Sequence, residues 1–183
     1  MTPDTEDRPT PEALAIGTLT PSFEQFFAAN RGGVLALLYS LSGSRQVAED
    51  VAQDAFTEAF RRWSTISRYD DPAAWVRRVA INKSISGVRK RVNERKALAR
   101  AASRAVTSGE TPVDPDGDRF WAAVRALPER QAQAVALHYL EDRSVAEIAQ
   151  VLDIAEPTVR VHLHRGRLEL ARTLGLDQEE VAR

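Results

Sequence analysis

Residues 48–63 place apolar side chains at Ala48, Val51, Ala52, Ala55, Phe56, Ala59, Phe60 and Trp63, a spacing of three, one, three, one without a break. A helix of 3.6 residues per turn gathers those positions into one stripe, which predicts a helix buried along that stripe. Its opposite face carries Asp50, Gln53, Asp54 and Glu58. Nowhere does the chain alternate apolar and polar residues over a useful length, so it reads as helix after helix.

Local signals divide those helices. Ser22 and Gln25 have capping-box spacing and open FEQFFAANRGGVLALLYSL, where Gly32-Gly33 predicts an interruption or kink. The loop SRYDDP (67–72) leads to a helix from about Ala73 to Arg91. Residues 92–117 turn Arg/Ala-rich and then Ser/Gly/Pro/Asp-rich, the composition of a flexible connector. Beyond it come a short pattern from Phe120 to Leu127 and a helix opened by Pro128 and running to about Glu141. Ser144 and Glu147 form a second capping box ahead of VAEIAQVLDIAEPTVRVHLHRGR (145–167). That stretch is two short helical patterns about Asp153-Ile154-Ala155, with Ile148, Ala149, Leu152, Ile154, Val159 and Leu163 as its core. Such a bihelical unit commonly lays its second helix in the DNA major groove; the bland alternative is a plain helical hairpin. The expected fold class is all-α, two small helical domains joined by a flexible linker. The expected boundaries are a disordered acidic tail at 1–20, domains at 21–95 and 117–175, a linker at 96–116 and a C-terminal tail at 176–183.

Charge separates the candidate surfaces. The net charge of −1 hides a polarised distribution. Residues 1–30 hold five acids against Arg8, whereas residues 72–104 hold ten bases against Glu94 and read as a polyanion-facing stretch. On the helix beginning near Ala73, the residues Trp75, Arg78, Asn82, Ser86 and Arg89 share one side of the wheel, a composition suited to phosphates and unstacked bases. The competing reading makes Trp75 a core residue and the arginines solvated. The acidic face of 47–63 is by default a solvated one, but beside so basic a segment it suits a protein partner, because DNA would be repelled. In the second helix of the bihelical unit, Arg165 and Arg167 suit phosphates.

Several chemistries find no support. The chain has no cysteine, hence no disulfide, thiolate metal site or thiol nucleophile. His162 and His164 lie two apart on a helix and cannot share an ion. No phosphate-binding glycine loop, G-x-S-x-G or convincing carboxylate pair occurs. We therefore expect no enzyme, no cofactor and no metal. No apolar run approaches the ~20 residues that span a bilayer, so no membrane insertion is expected and a cytoplasmic protein fits.

Three stretches together carry a family resemblance: AEDVAQDAFTEAFRRW (48–63), DDPAAWVRRVAINKSISGVRKR (70–91) and LPERQAQAVALHYLEDRSVAEIAQVLDIAEPTVRVHLHRGR (127–167). In this order, with a linker between, they resemble an extracytoplasmic-function (ECF) sigma factor of the bacterial sigma-70 family. The resemblance implies that the protein binds core RNA polymerase and directs promoter-specific initiation. It places the polymerase clamp against Glu49, Asp50, Gln53, Asp54 and Phe56. It places the −10 element, captured as flipped bases while the duplex melts, at Ile66, Arg68, Tyr69, Asp70, Asp71, Trp75, Arg78, Asn82 and Lys83. It places the −35 element at Glu156, Pro157, Thr158, Arg160, Val161, His162 and Arg165.

The implied partners are the clamp of the largest polymerase subunit, the flap of the second-largest, and promoter DNA. Most relatives are held inactive by an anti-sigma factor, often membrane-anchored, which the resemblance adds to the expected partners. The linker would thread through the polymerase, with the core enzyme setting the separation of the two domains. Three departures bear on promoter sequence rather than activity class. Ala155 and Pro157 stand where relatives commonly carry Ser and Gly, His162 where Arg or Lys is frequent, and Ser86 where Asp is frequent. The alternative, a stand-alone helix-turn-helix regulator, would bind an operator tightly by itself, usually as a dimer.

Overall fold

A computed structural model describes residues 22–84 and 115–176. The expected tails, most of the linker and the end of the basic helix, with Ser86 and Arg89, lie outside the described residues. All regular elements among those described are helices: α1 (Phe23–Ser42), α2 (Arg45–Arg61), the one-turn α3 (Trp63–Ile66), α4 (72–84), α5 (Pro115–Ala126), α6 (Glu129–Glu141), α7 (Val145–Leu152) and α8 (Glu156–Leu174).

The ends follow the local chemistry. Ser22 Oγ accepts from Gln25 N while Gln25 Oε1 accepts from Ser22 N, closing the first capping box. Ser144 and Glu147 close the second. α1 runs unbroken through Gly32-Gly33, contrary to the expected kink. Glycine permits a bend without requiring one, and here the second glycine serves an approach: a Cβ on Gly33 would sit 3.2 Å from the Arg77 guanidinium and 3.3 Å from the Glu141 carboxylate. Pro128 lies one residue outside α6, as its cap, and α5 begins five residues before the expected Phe120.

The stripe on α2 is buried at Ala48, Val51, Ala52, Ala55, Phe56 and Ala59, against Phe26, Val34 and Leu38 of α1 and Val76 and Ala80 of α4. Phe60 departs from it. It is 60% exposed and meets Phe23 edge-on, with ring centroids 5.1 Å apart, because α2 ends one residue later and the chain turns into α3.

The two halves are not held apart. α1 packs on both α5 and α6. Leu37, Ala74 and Ile81 of the first half share one apolar cluster with Val124, Leu137, Ile148 and Leu152 of the second. The physical reason lies in α4. At about 100° per residue, Ala74 and Ile81 face nearly the same way, and Val76 and Ala80 lie roughly opposite. α4 is thus apolar on two sides and is sandwiched between the two cores. The free chain is thus a closed arrangement of its two halves.

Within the second half, α8 lies so close to α6 that a Cβ on Gly166 would come 2.8 Å from Val135 Cγ2. Gly32, by contrast, is exposed in α1 with nothing within 4 Å of an added Cβ. Gly32→Ala should stabilise by about 1 kcal/mol, the helix-propensity difference. Gly166→Ala should destabilise, because overpacking a fully buried β-branched neighbour costs about 1–3 kcal/mol and outweighs the same propensity gain. Urea denaturation of the two variants must give shifts of opposite sign.

Candidate nucleic-acid interface

α8 is presented by the helix-turn-helix as its residues dictate. Ile148, Val151 and Leu152 of α7 and Val159 and Leu163 of α8 are buried, with Ala149 and Ile154 packed against them. Asp153 ends α7 at φ 57°, a left-handed conformation that Asp tolerates better than most side chains. Ala155 stands at the α8 N-cap without a side-chain bond, and Pro157 occupies its first turn. Holding the inner face leaves Pro157, Thr158, Arg160, Val161 and Arg165 exposed on the outer one. Glu156 engages Arg160 at 2.8 Å. His162 is half-buried and its Nδ1 has no hydrogen-bond partner; burial first, then Arg130 and Arg165, depress its pKa below the usual histidine value. Arg167 is not available in the way Arg165 is. Its guanidinium is bound to Tyr139 Oη at 3.0 Å and contacts His138 Nε2 at 3.1 Å, bracing α6 against α8.

The residues expected at the −10 element divide into exposed and structural ones. Arg68, Tyr69, Asp70 and Asn82 are exposed. Ile66 is 1% exposed and belongs to the first core, since α3 turns it inward; it is a packing residue, not a contact. Asp71 Oδ1 accepts from Ala74 N at 2.8 Å and so caps α4. Trp75 is half-buried against the first core, as the packing reading has it. Lys83 lies 3.4 Å from Glu58. Arg78 turns to the second half, donating to the Gln150 carbonyl and lying 3.5 Å from Asp153.

The expected partner face on α2 is exposed at Glu49, Asp50, Gln53 and Asp54, with Glu49 tied to Arg45 at 2.9 Å. Phe56 is buried and reaches outward only as lining of an apolar groove of ≈ 590 Å³ between α1 and α2. That groove adds Phe23, Phe27, Leu35 and Phe60, which were not among the expected residues. Phe60 follows the stripe in sequence, so the local pattern gave no sign of the groove.

Sequence reading also missed the junction between the halves. Arg77 Nε donates to Glu141 Oε2 at 2.6 Å and Oε1 at 2.9 Å, while Nη1 reaches Asn30 Oδ1 and the Ala73 carbonyl, each at 3.3 Å. The side chains of the pair are 8% and 6% exposed. Taking Glu141 away while the halves stay packed would leave the buried Arg77 charge uncompensated, at about 3–5 kcal/mol, whereas Glu141 without Arg77 would keep Arg143 at 3.5 Å. The pair is 64 residues apart in sequence, so no local pattern could announce it.

Glu147 shows how the helix-turn-helix answers to pH. The Ser144 backbone N–H, the Ser144 hydroxyl and Arg143 all donate to its carboxylate and bring its pKa down to about 2 from 4.5. A carboxyl depressed on folding adds stability above the unfolded value, here 4.5, and loses it as pH falls through about 2. Glu147→Gln keeps the capping spacing but not the charge. The melting-temperature gap between wild type and variant should therefore be largest above pH 4.5 and shrink toward pH 2.

With these surfaces in place, comparison with known proteins is decisive. Residues 26–94 match the family described as Sigma-70 region 2, and residues 117–170 match Sigma-70, region 4. The ECF RNA polymerase sigma factor SigE of Mycolicibacterium smegmatis is 30% identical, over 96% of this chain and 72% of the relative. The chain belongs to the ECF sigma factors. SigW of Bacillus subtilis is 27% identical over 77% of this chain and 82% of its own. The fold is also that of the sigma factor RpoE crystallised with the anti-sigma factor NepR from Bartonella quintana, at TM-score 0.70 and 24% identity, covering 85% of this chain and 98% of that one. This sigma factor directs transcription initiation, and its class is known for non-catalytic initiation factors. Among the described residues no helix is long and apolar enough to cross a membrane.

Proposed function

We propose that this sigma factor divides its work among three surfaces. Residues 21–95 bind core polymerase through the acidic face of α2, at Glu49, Asp50, Gln53 and Asp54. They capture the −10 strand with Arg68, Tyr69, Asp70, Trp75, Arg78, Asn82 and Lys83. Residues 117–175 read the −35 element with the outer face of α8. The observation that carries the reading is that outer face: a contiguous set of exposed residues on a helix whose inner face is locked by Ile148, Leu152, Val159 and Leu163. The polymerase clamp and flap and promoter DNA are the partners, and an anti-sigma factor, as crystallised with the Bartonella quintana relative, is a further one. The protein catalyses no reaction itself and works in the cytoplasm, where the polymerase is.

Run-off transcription with purified bacterial core polymerase, with and without the protein, tests this. Promoter-dependent transcripts are expected only when the protein is present. Absence of transcript together with tight operator binding by the protein alone would favour a stand-alone regulator.

A further inference from the structure

We propose that the C-terminal half is an internal latch on the −10 reader. In the closed form, Glu141 and the C-terminal turn of α7 hold Arg77 and Arg78 of α4 away from DNA, while the −35 face of α8 stays open. This rests on the assignment of Arg78 and its α4 neighbours to the −10 strand made above, to which the latch adds the adjacent Arg77.

Three observations carry the latch. First, both cations are engaged from the other half by the kinds of oxygen a phosphate would offer. Arg77 bonds the Glu141 carboxylate at 2.6 Å, and Arg78 bonds the Gln150 carbonyl beside the Asp153 carboxylate. On the wheel of α4 these arginines flank the Ala74/Ile81 stripe, so packing that stripe on the second core brings both against acceptors. Second, the closure extends across the molecule: Arg125 Nη1 donates to the Ser40 carbonyl at 3.3 Å and lies against Gly43, away from the α4 arginines in the chain and outside either DNA surface. Third, closure carries a built-in cost. The Nε of Arg78 is buried with no hydrogen-bond partner, a penalty that opening removes. A single strand or the polymerase then competes with the latch on favourable terms.

The two readers are therefore covered unequally. Pro157, Thr158, Arg160, Val161 and Arg165 face outward in the closed form, whereas Arg77 is buried and Arg78, though partly exposed, is tied to Gln150 and Asp153. The free protein should meet duplex DNA through α8 but engage single strands poorly until the halves part.

The test uses the full chain, a fluorescent mixed-sequence single-stranded 12-mer read by anisotropy, and small-angle scattering for the radius of gyration. Glu141→Gln should tighten strand binding by about tenfold or more, the gain expected if the open form is at most about a tenth of the wild-type population. It should also enlarge the radius of gyration. Asp142→Asn is the control. It removes the same charge one residue away, at a left-handed position that Asn tolerates, and should change neither readout. Unchanged affinity and radius in Glu141→Gln would overturn the latch. So would equal tightening by both variants, which would be a bulk charge effect.

If Glu141→Gln loses its helical circular dichroism, Arg125→Ala decides instead, since it loosens the closure without stranding a buried charge. It should shift both readouts in the same direction, and no shift would overturn the latch. Run-off transcription by the wild type is measured in parallel. Its failure would count against the sigma surfaces assigned to α2, α4 and α8, whereas a normal transcript with an unresponsive Glu141→Gln counts against the latch alone.

Discussion

Ile148→Ala is expected to destabilise the C-terminal half by about 2–5 kcal/mol, the range for emptying a buried aliphatic site that cannot collapse. Ile148 is 0% exposed and sits among Leu152, Val159 and Leu163, whose backbones belong to two helices already fixed by the turn at Asp153. α7 has eight residues, too few to be stable as an isolated helix, so it persists through this packing and its Ser144–Glu147 caps. The loss should therefore reach beyond a local void. α8 would lose the partner that aims its outer face, and −35-dependent transcription should fall together with the urea midpoint. Ile154→Ala, at a half-buried position in the same unit, provides the comparison and should cost less. A shift in Ile148→Ala no larger than that of Ile154→Ala would mean that Ile148 does not anchor the unit.

Trp75→Ala should lower transcription from a closed homoduplex promoter by roughly 5- to 140-fold, the equivalent of the ~1–3 kcal/mol that one base–aromatic stack contributes. On a template whose −10 region is already unpaired, most of that loss should disappear, because flipping and unstacking no longer have to be driven by the protein. The two templates are needed because Trp75 is half-buried against the first core, so its removal also loosens packing. A packing defect would depress both templates alike, and equal losses would assign Trp75 to the core alone. Lys83 and Asn82 lie farther along the same helix, and Arg78 on its flank is engaged by the second half. The closed-template defect therefore reports on strand capture only with saturating core polymerase.

The helices themselves were legible from local chemistry. The period of 48–63 specified α2 and its buried stripe, and two Ser-x-x-Gln/Glu spacings placed the starts of α1 and α7 to the residue. The core of the helix-turn-helix could be listed from its apolar positions, because a helical hairpin of this length has few ways to bury them. The outer face of α8 followed by subtraction, and five of its seven expected residues are exposed.

Sequence patterns said least where a residue answers to more than its own helix. Ile66 sits beside polar loop residues in sequence, yet α3 turns it into the core; Asp71, read as a binding acid, has a capping bond that its local pattern did not announce, and Arg167, read as a phosphate contact, braces α6 against α8. Phe60 follows the stripe in sequence but leaves it in space, because α2 ends there and the backbone changes direction.

The sequence by itself determined most of the helical elements and caps and the charge of the α2 and α4 faces, because each depends on residues within a turn or two of one another. Only the tertiary structure decided that the halves close on each other. The Arg77–Glu141 pair spans 64 residues, and its burial depends on Gly33 from a third helix leaving room for both side chains. An arginine on a basic helix looks the same in sequence whether it faces water, a phosphate or a carboxylate. The difference is made by desolvation, which belongs to whatever packs over it.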